Sequence, residues 1–207
     1  MLLRPALAEE EPALTVMLAD AFAAAMNAKE YRKFLGREVS AYITARLATP
    51  PEQAALLVAV LCGDESGRDG CGADAEAPSS LLLGVVEVSL TPRTHGRFDD
   101  PSVCPPPRAA FVKNVLSSPQ ARRRGVAAAL LAGVEEYAAA AAAARGGDET
   151  PLELLCLHCN PGDAPAAALY AAAGYTTVSR QNVMLAALRR GAPPLALMSK
   201  PLKLPPQ

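Results

Sequence analysis

Tryptophan is absent from this chain, and aromatic residues make up only 4% of its 207 positions. Any core must therefore be built mostly from Leu, Val and Ala, and Ala inflates the 51% hydrophobic content. Charge of one sign is lacking too. Twenty Lys and Arg face 21 Asp and Glu for a net charge of -1, with no acidic or basic block. A nucleic-acid binder shows a basic excess or stripe, so that class is excluded. No window of about 18 purely apolar residues occurs, so no membrane span is expected. The start, Met1-Leu2-Leu3-Arg4-Pro5, lacks the charged, apolar and cleavage regions of a secretory signal. The chain is thus expected either to need no targeting or to lack a presequence. Five cysteines, at 62, 71, 104, 156 and 159, form an odd and uneven set. That pattern argues against a secreted disulfide framework and for a reducing compartment.

What is present is a regular succession of elements. Leu2 to Arg4 reads as a first strand, and Ala8 to Ala25 as a helix with Leu14, Leu18 and Phe22 four apart. Lys29 to Ala48 is a second helix, ended by Thr49-Pro50-Pro51 because proline cannot continue it. The apolar runs Ala54–Leu61 and Leu81–Leu90 have strand length and valine content. Phe111 to Leu116 is a further strand, and Val126 to Ala144 a long alanine-rich helix. A strand over Leu152–Cys159 and a short helix over Pro165–Ala173 follow. Two last strands occupy Tyr175–Val178 and Leu195–Lys200. Residues 63–80 and 91–108 are long connections, the first rich in Gly, Asp and Ser and the second in Pro. This order predicts a mixed α/β (α+β) domain, single over 1–207, with helices packed against one sheet.

The chemically informative stretch runs from Phe111 through Arg122-Arg123-Arg124-Gly125-Val126-Ala127-Ala128 to Leu131. Here a strand passes through a polar turn straight into a helix. The helix start offers free N–H groups and the positive end of its dipole, which suit a pyrophosphate. Gly125 lets a ligand approach the backbone, and small Ala127 and Ala128 keep the first turn slim. An Arg-rich turn before an ordinary helix explains the same spacing about as well. No Walker-type phosphate loop and no dinucleotide fingerprint are present.

Arg122-x-x-Gly125-x-Ala127 after a strand resembles the Gln/Arg-x-x-Gly-x-Gly/Ala motif of the GCN5-related N-acetyltransferase (GNAT) family. Ala168-Leu169-Tyr170-Ala-Ala-Ala-Gly174-Tyr175 resembles that family's Asn-x-x-Ala-x-x-Leu-Tyr-x-x-x-Gly-Phe/Tyr, in the expected order and separation. Leu3-Arg4-Pro5-Ala6 before a helix resembles its usual opening. The resemblance implies a mostly antiparallel twisted sheet splayed at two central strands. It also implies metal-free transfer of acetyl from acetyl-CoA to a primary amine in a ternary complex. Backbone groups of Val115, Leu116 and Ser117 would pair with pantetheine, and residues from Arg122 to Ala128, including Arg123, Arg124 and Val126, would hold the pyrophosphate. Asn160, Asp163 and Ala166 would complete the coenzyme contacts, although Asp163 stands where the family often has Asn.

In the same resemblance Tyr170 is the acid that protonates the leaving thiolate. Without it, Tyr170 reads as a half-buried core-edge tyrosine. The strand over 111–116 carries no Glu or Asp, so His158, twelve positions before Tyr170, is the candidate base, with Glu87 or water as alternatives. A hydrogen-bonded strand histidine accounts for His158 equally well. His95 is expected at the surface of its loop. Cys156-Leu-His-Cys159 reads as a pair of inert thiols, because residues three apart on a strand face opposite ways. The acceptor is expected to be a peptide or protein amine, from His158 and the aromatic positions Tyr31, Phe34 and Tyr42. A small arylalkylamine or polyamine, or a non-catalytic acyl-CoA-binding role, are the alternatives. Lys113-Asn114-Val115 with Arg122-Arg123-x-Gly125 is similar to plant and algal plastid members, which implies a chloroplast location, the alternative being cytoplasmic. A monomer or homodimer is expected.

Overall fold

Continuous apolar runs become strands buried on both faces, and this chain has two of them side by side. In the computed structural model, which describes residues 1–25, 32–61, 81–98, 100–146, 150–181 and 194–204, these are β2 (Ala54–Leu61) and β3 (Leu81–Ser89). Around them stand β1 (Leu2–Pro5), β4 (Ala109–Ser117), β5 (Leu154–Cys159), β6 (Thr176–Arg180) and β7 (Ala196–Pro201). They form a seven-stranded sheet in the order β1-β2-β3-β4-β5-β7-β6. All neighbours are antiparallel except β4 and β5. The mixed α/β architecture expected from the element order is the one observed.

Strand alternation sends successive side chains to opposite faces, so each face acquires its own core. On one face Leu56, Val58, Val60 and Val85 pack under α1 (Glu11–Ala25) and α2 (Arg32–Leu47), through Leu14, Leu18, Val39 and Ile43. On the other, Leu57, Ala59, Val86, Val88 and Val112 pack under α4 (Val126–Ala144), through Val126, Leu130, Leu131 and Val134. Each fully buried leucine of these stripes stabilises by about 1.5–3 kcal/mol before cavity effects. By length and composition α4 would be apolar enough to cross a membrane, but its apolar stripe lies on the sheet. Gly84 explains how closely it does so. A Cβ there would come within 2.6 Å of the Leu116 carbonyl and 2.9 Å of Val126.

Residues 91–108, expected as a Pro-rich connection, contain local structure. They carry a helical turn, α3 (Pro92–His95), and a 3-10 turn at Pro101–Val103, both folded onto the sheet. His95, expected at the surface, is 4% exposed, with its ring 5.7 Å from that of Phe111. The cause is the Thr94 carbonyl, which accepts from Ser89, Arg46 and Lys113 and holds the turn down. The segment 63–80 lies outside the described residues.

Candidate active site

The strands part where β4 bulges. Val85 pairs with Leu116 and Glu87 with Lys113, so β4 fits three steps against two on β3. The extra residue is accommodated at Asn114, whose φ is 54°. Asn tolerates this left-handed region better than most residues, because its short side chain bonds locally. Here the Asn114 amide donates to Glu87 Oε2 at 3.0 Å. On its other side β4 pairs in parallel with β5 only from Ala109/Leu154 to Val112/Leu157. From Lys113 to Ser117 no described strand faces β4 on that side. The splay implied by the family resemblance is therefore present, and it contains Val115, Leu116 and Ser117.

β4 leads through a 3-10 turn at Pro119–Ala121 and exposed Arg122, Arg123 and Arg124 into α4. Arg123 has φ 63° and Gly125 has φ 78°, so the turn uses two left-handed residues within three positions. A Cβ at Gly125 would meet nothing within 4 Å, so it is the left-handed backbone angle, not space, that favours glycine there. The first turn of the 19-residue α4, with Val126, Ala127 and Ala128, has N–H groups without helical partners and follows directly on three exposed arginines. A cleft of about 930 Å³ adjoins this turn, running from Leu116 and Ser117 to Arg122 and along Val16 and Met17 of α1. An open helix start, an arginine cluster and an unpaired strand edge together fit an anionic pantetheine ester such as CoA.

α5 (Ala164–Ala172) starts beside the far end of β5. Asp163 caps it by accepting from the Ala166 N–H at 3.1 Å, and Asn160 Oδ1 accepts from the Gly162 N–H at 2.9 Å. Their side chains are thus committed to the local turn. Tyr170 is 9% exposed in the α4-side core together with Cys159, and its ring is 6.2 Å from Tyr175. Burial, with Cys159 and Asp163 adding to it, pushes the Tyr170 phenol up to about 12, so it stays protonated across the physiological range. No described residue hydrogen-bonds its hydroxyl.

His158 is on the opposite face of β5, packed edge-on against Phe98 and Phe111 at 5.4 and 5.0 Å. Its Nε2 is 2.7 Å from the Val103 carbonyl. A carbonyl only accepts, so Nε2 carries the proton and Nδ1 is the acceptor. Burial lowers its pKa, against the opposing bond to Val103. Val112 pairs with Leu157, so His158 and Lys113 occupy the first rung beyond the pairing, on one face of the opening splay. The structure thus brings His158 to the splay but not to the side of Tyr170.

Glu87 is fully buried. Arg46 Nε and Lys113 Nζ each lie 2.8 Å from its Oε1, and the Tyr42 hydroxyl and Asn114 amide donate to Oε2. Burial lowers the Lys113 pKa, against the attraction of Glu87. Above this cluster opens a second pocket of about 380 Å³, between α1, α2 and β4. Phe22, Leu35, Glu38, Val39, Tyr42, Lys113 and Asn114 line it. The sequence reading missed all of these as a set. The available signal was Lys113-Asn114, two polar residues interrupting an apolar strand, and the lone Glu87 in another. The expected aromatic stripe of α2 does not assemble. Phe34 is 62% exposed, Tyr42 turns inward, and Tyr31 lies outside the described residues. Cys156 and Cys159 fall in different cores, Cys156 with its thiol raised to about 11 by burial.

No protein-family model matches the chain, and no curated protein matches it by sequence. Solved structures do match in fold. A spermidine N-acetyltransferase from Vibrio cholerae, in complex with CoA and spermine, superposes over 97% of this chain and 95% of its own, with TM-score 0.56 and 13% identity. A GCN5-related N-acetyltransferase from Kribbella flavida does so over 97% of both chains, with TM-score 0.57 and 18% identity. A GNAT-superfamily phosphinothricin acetyltransferase from Sinorhizobium meliloti, in complex with acetyl-CoA, covers 97% of this chain and 88% of its own, with TM-score 0.58 and 15% identity. The chain has the fold of the GNAT acetyltransferases. Within that class its particulars are the Asn114 bulge, the Arg122–Ala128 helix entry and the pocket over Glu87.

Proposed function

We propose that this protein is an acetyl-CoA-dependent N-acetyltransferase acting on a primary amine. The observation that carries the proposal is the splay of β4 from β5 leading directly into the Gly125 helix entry, with Tyr170 beside the far strand. In this reading the free edge of Val115–Ser117 pairs with pantetheine amides, and the start of α4 with Arg122–Arg124 holds the pyrophosphate. The thioester carbonyl then lies in the splay. The amine nitrogen attacks that carbon, the C–S bond breaks, and the phenol of Tyr170 supplies the proton that the departing thiolate takes.

The nitrogen must also lose a proton. His158 Nδ1, on the first open rung of β5, is the acceptor we assign, directly or through water. Glu87 is unsuited, because both of its oxygens are occupied by Arg46, Lys113, Tyr42 and Asn114. For the amine itself, a peptide α-amine or lysine side chain draws support from His158 and from Phe34, exposed on α2. A small amine is favoured by the 380 Å³ pocket, a size that suits a compact ligand. Thiol release from acetyl-CoA, followed by intact-mass analysis of products from amine and peptide panels, tests the reading. A gain of one acetyl group on an amine is expected. Tight binding of acetyl-CoA without thiol release in any panel would instead make the protein a coenzyme-binding module.

A further inference from the structure

Which amine the pocket takes is written in the charges around it. Resting on the acetyl-transfer reading above, we propose that the acceptor is an α-amino acid with an aliphatic or aromatic side chain, held by its carboxylate on Lys113.

The pocket has two chemically distinct parts. Phe22, Leu35 and Val39 supply apolar wall, while polar groups are gathered on one side at Tyr42, Lys113 and Asn114. An apolar body with a polar head matches that division. Below the polar side two cations share one carboxylate, since Arg46 and Lys113 both lie 2.8 Å from the same Glu87 oxygen. The other oxygen is taken by Tyr42 and Asn114. The buried cluster therefore carries one more positive than negative group, in a setting where charge is poorly screened. Of its members only Lys113 combines a charge with a place on the pocket wall. An ammonium has three N–H groups, and Lys113 commits two, to Glu87 and to the Thr94 carbonyl at 3.2 Å. The third is left for a ligand acceptor.

Glu38, exposed on α2, is the one acidic group among the described residues of the lining. With Lys113 it gives the lining one group of each sign, which matches a zwitterion. A polyamine would bring further cations toward the Lys113–Arg46 pair and meet a single carboxylate, so it is disfavoured. Holding the carboxylate at Lys113 also keeps the α-amine, two bonds away, beside Asn114, where β4 has parted from β5 and the thioester is assigned. The β4 bulge is what makes this arrangement. It turns the adjacent residues Lys113 and Asn114 to the same side, toward Glu87, where regular alternation would separate them.

The test compares acceptors that differ only in the carboxylate, using the full chain and steady-state thiol release from acetyl-CoA. Leucine is paired with isopentylamine and with leucine amide, and phenylalanine with phenethylamine; spermidine and an amidated peptide complete the panel. The proposal expects kcat/KM for leucine and phenylalanine at least tenfold above their carboxylate-free partners. Equal rates within the pairs overturn it, as does a preference for spermidine or the peptide, and the acetyl-transfer reading survives either result. No acetylation of any amine sinks both. The variant Lys113→Met is expected to bring the leucine to isopentylamine ratio near one by raising KM for leucine, with KM for acetyl-CoA unchanged. The wild-type ratios decide the matter even if that variant does not fold.

Discussion

Tyr170 and His158 illustrate how a residue's environment sets what it can do. The Tyr170 phenol, raised to about 12 by burial, holds its proton until a stronger base arises beside it, and a departing thiolate is such a base. Tyr170→Phe removes only that proton and is expected to lower kcat about a hundredfold, in the range for losing a general acid. Acetyl-CoA affinity, measured by calorimetry, should stay at the wild-type value; unchanged kcat would remove Tyr170 from the chemistry. His158 is the converse case. A base acts when deprotonated, and burial lowers its pKa, so it remains competent to a lower pH than a free imidazole with its usual value near 6.5. The acidic limb of the kcat profile is therefore expected below pH 6.5 and should disappear in His158→Ala. A limb that persists in the variant would transfer the proton to water alone. Both residue types stood out in the sequence as chemistry-bearing groups. Their placement on opposite faces of β5 depended on strand register and on how α5 returns to the sheet.

At the scale of elements, the helix entry and the bulge create the splay, and two glycines report on them. Gly84 sits where β3, β4 and α4 converge, and an added methyl would press on the Leu116 carbonyl at 2.6 Å. Backbone cannot yield as a flexible side chain would. Gly84→Ala is expected to destabilise by about 1–3 kcal/mol, the usual cost of overpacking, measured by urea denaturation. Gly125 presents the opposite problem, because space is free but the backbone is left-handed at φ 78°. Gly125→Ala should cost about 1–2 kcal/mol and raise KM for acetyl-CoA while sparing kcat, since it distorts a turn assigned to binding. An unchanged KM would place the pyrophosphate elsewhere. The boundaries of α4, Val126–Ala144, were fully legible, because alanine content and flanking glycines signal them locally. The Asn114 bulge was not legible. A bulge is a relation between two strands, and a single strand's sequence carries only the interruption of its apolar pattern.

For the whole molecule, the turns over 92–103 matter more than their loop-like composition suggested. They bury His95, whose pKa burial lowers to about 4, chiefly by desolvation, with its Nε2 left without a partner among the described residues. The unfolded chain takes up a proton near 6.5 that the folded protein refuses until about 4. Stability is thus full above pH 6.5 and falls as pH drops toward 4, with His158 contributing in the same direction. Melting temperature between pH 7 and 5 should decline in the wild type and decline less in His95→Leu. Equal slopes would show that other groups control the acid limb. The sequence by itself determined the order of strands and helices along the chain and the turn from β4 into α4, because periodicity, capping and backbone angle act over a few residues. Tertiary structure alone decided that the connection after β3 folds inward, that Glu87 is captured by Arg46 and Lys113, and that Lys113 and Asn114 share a pocket with α1 and α2. Those outcomes depend on which distant charges find one another once water is excluded, a question that local pattern does not pose.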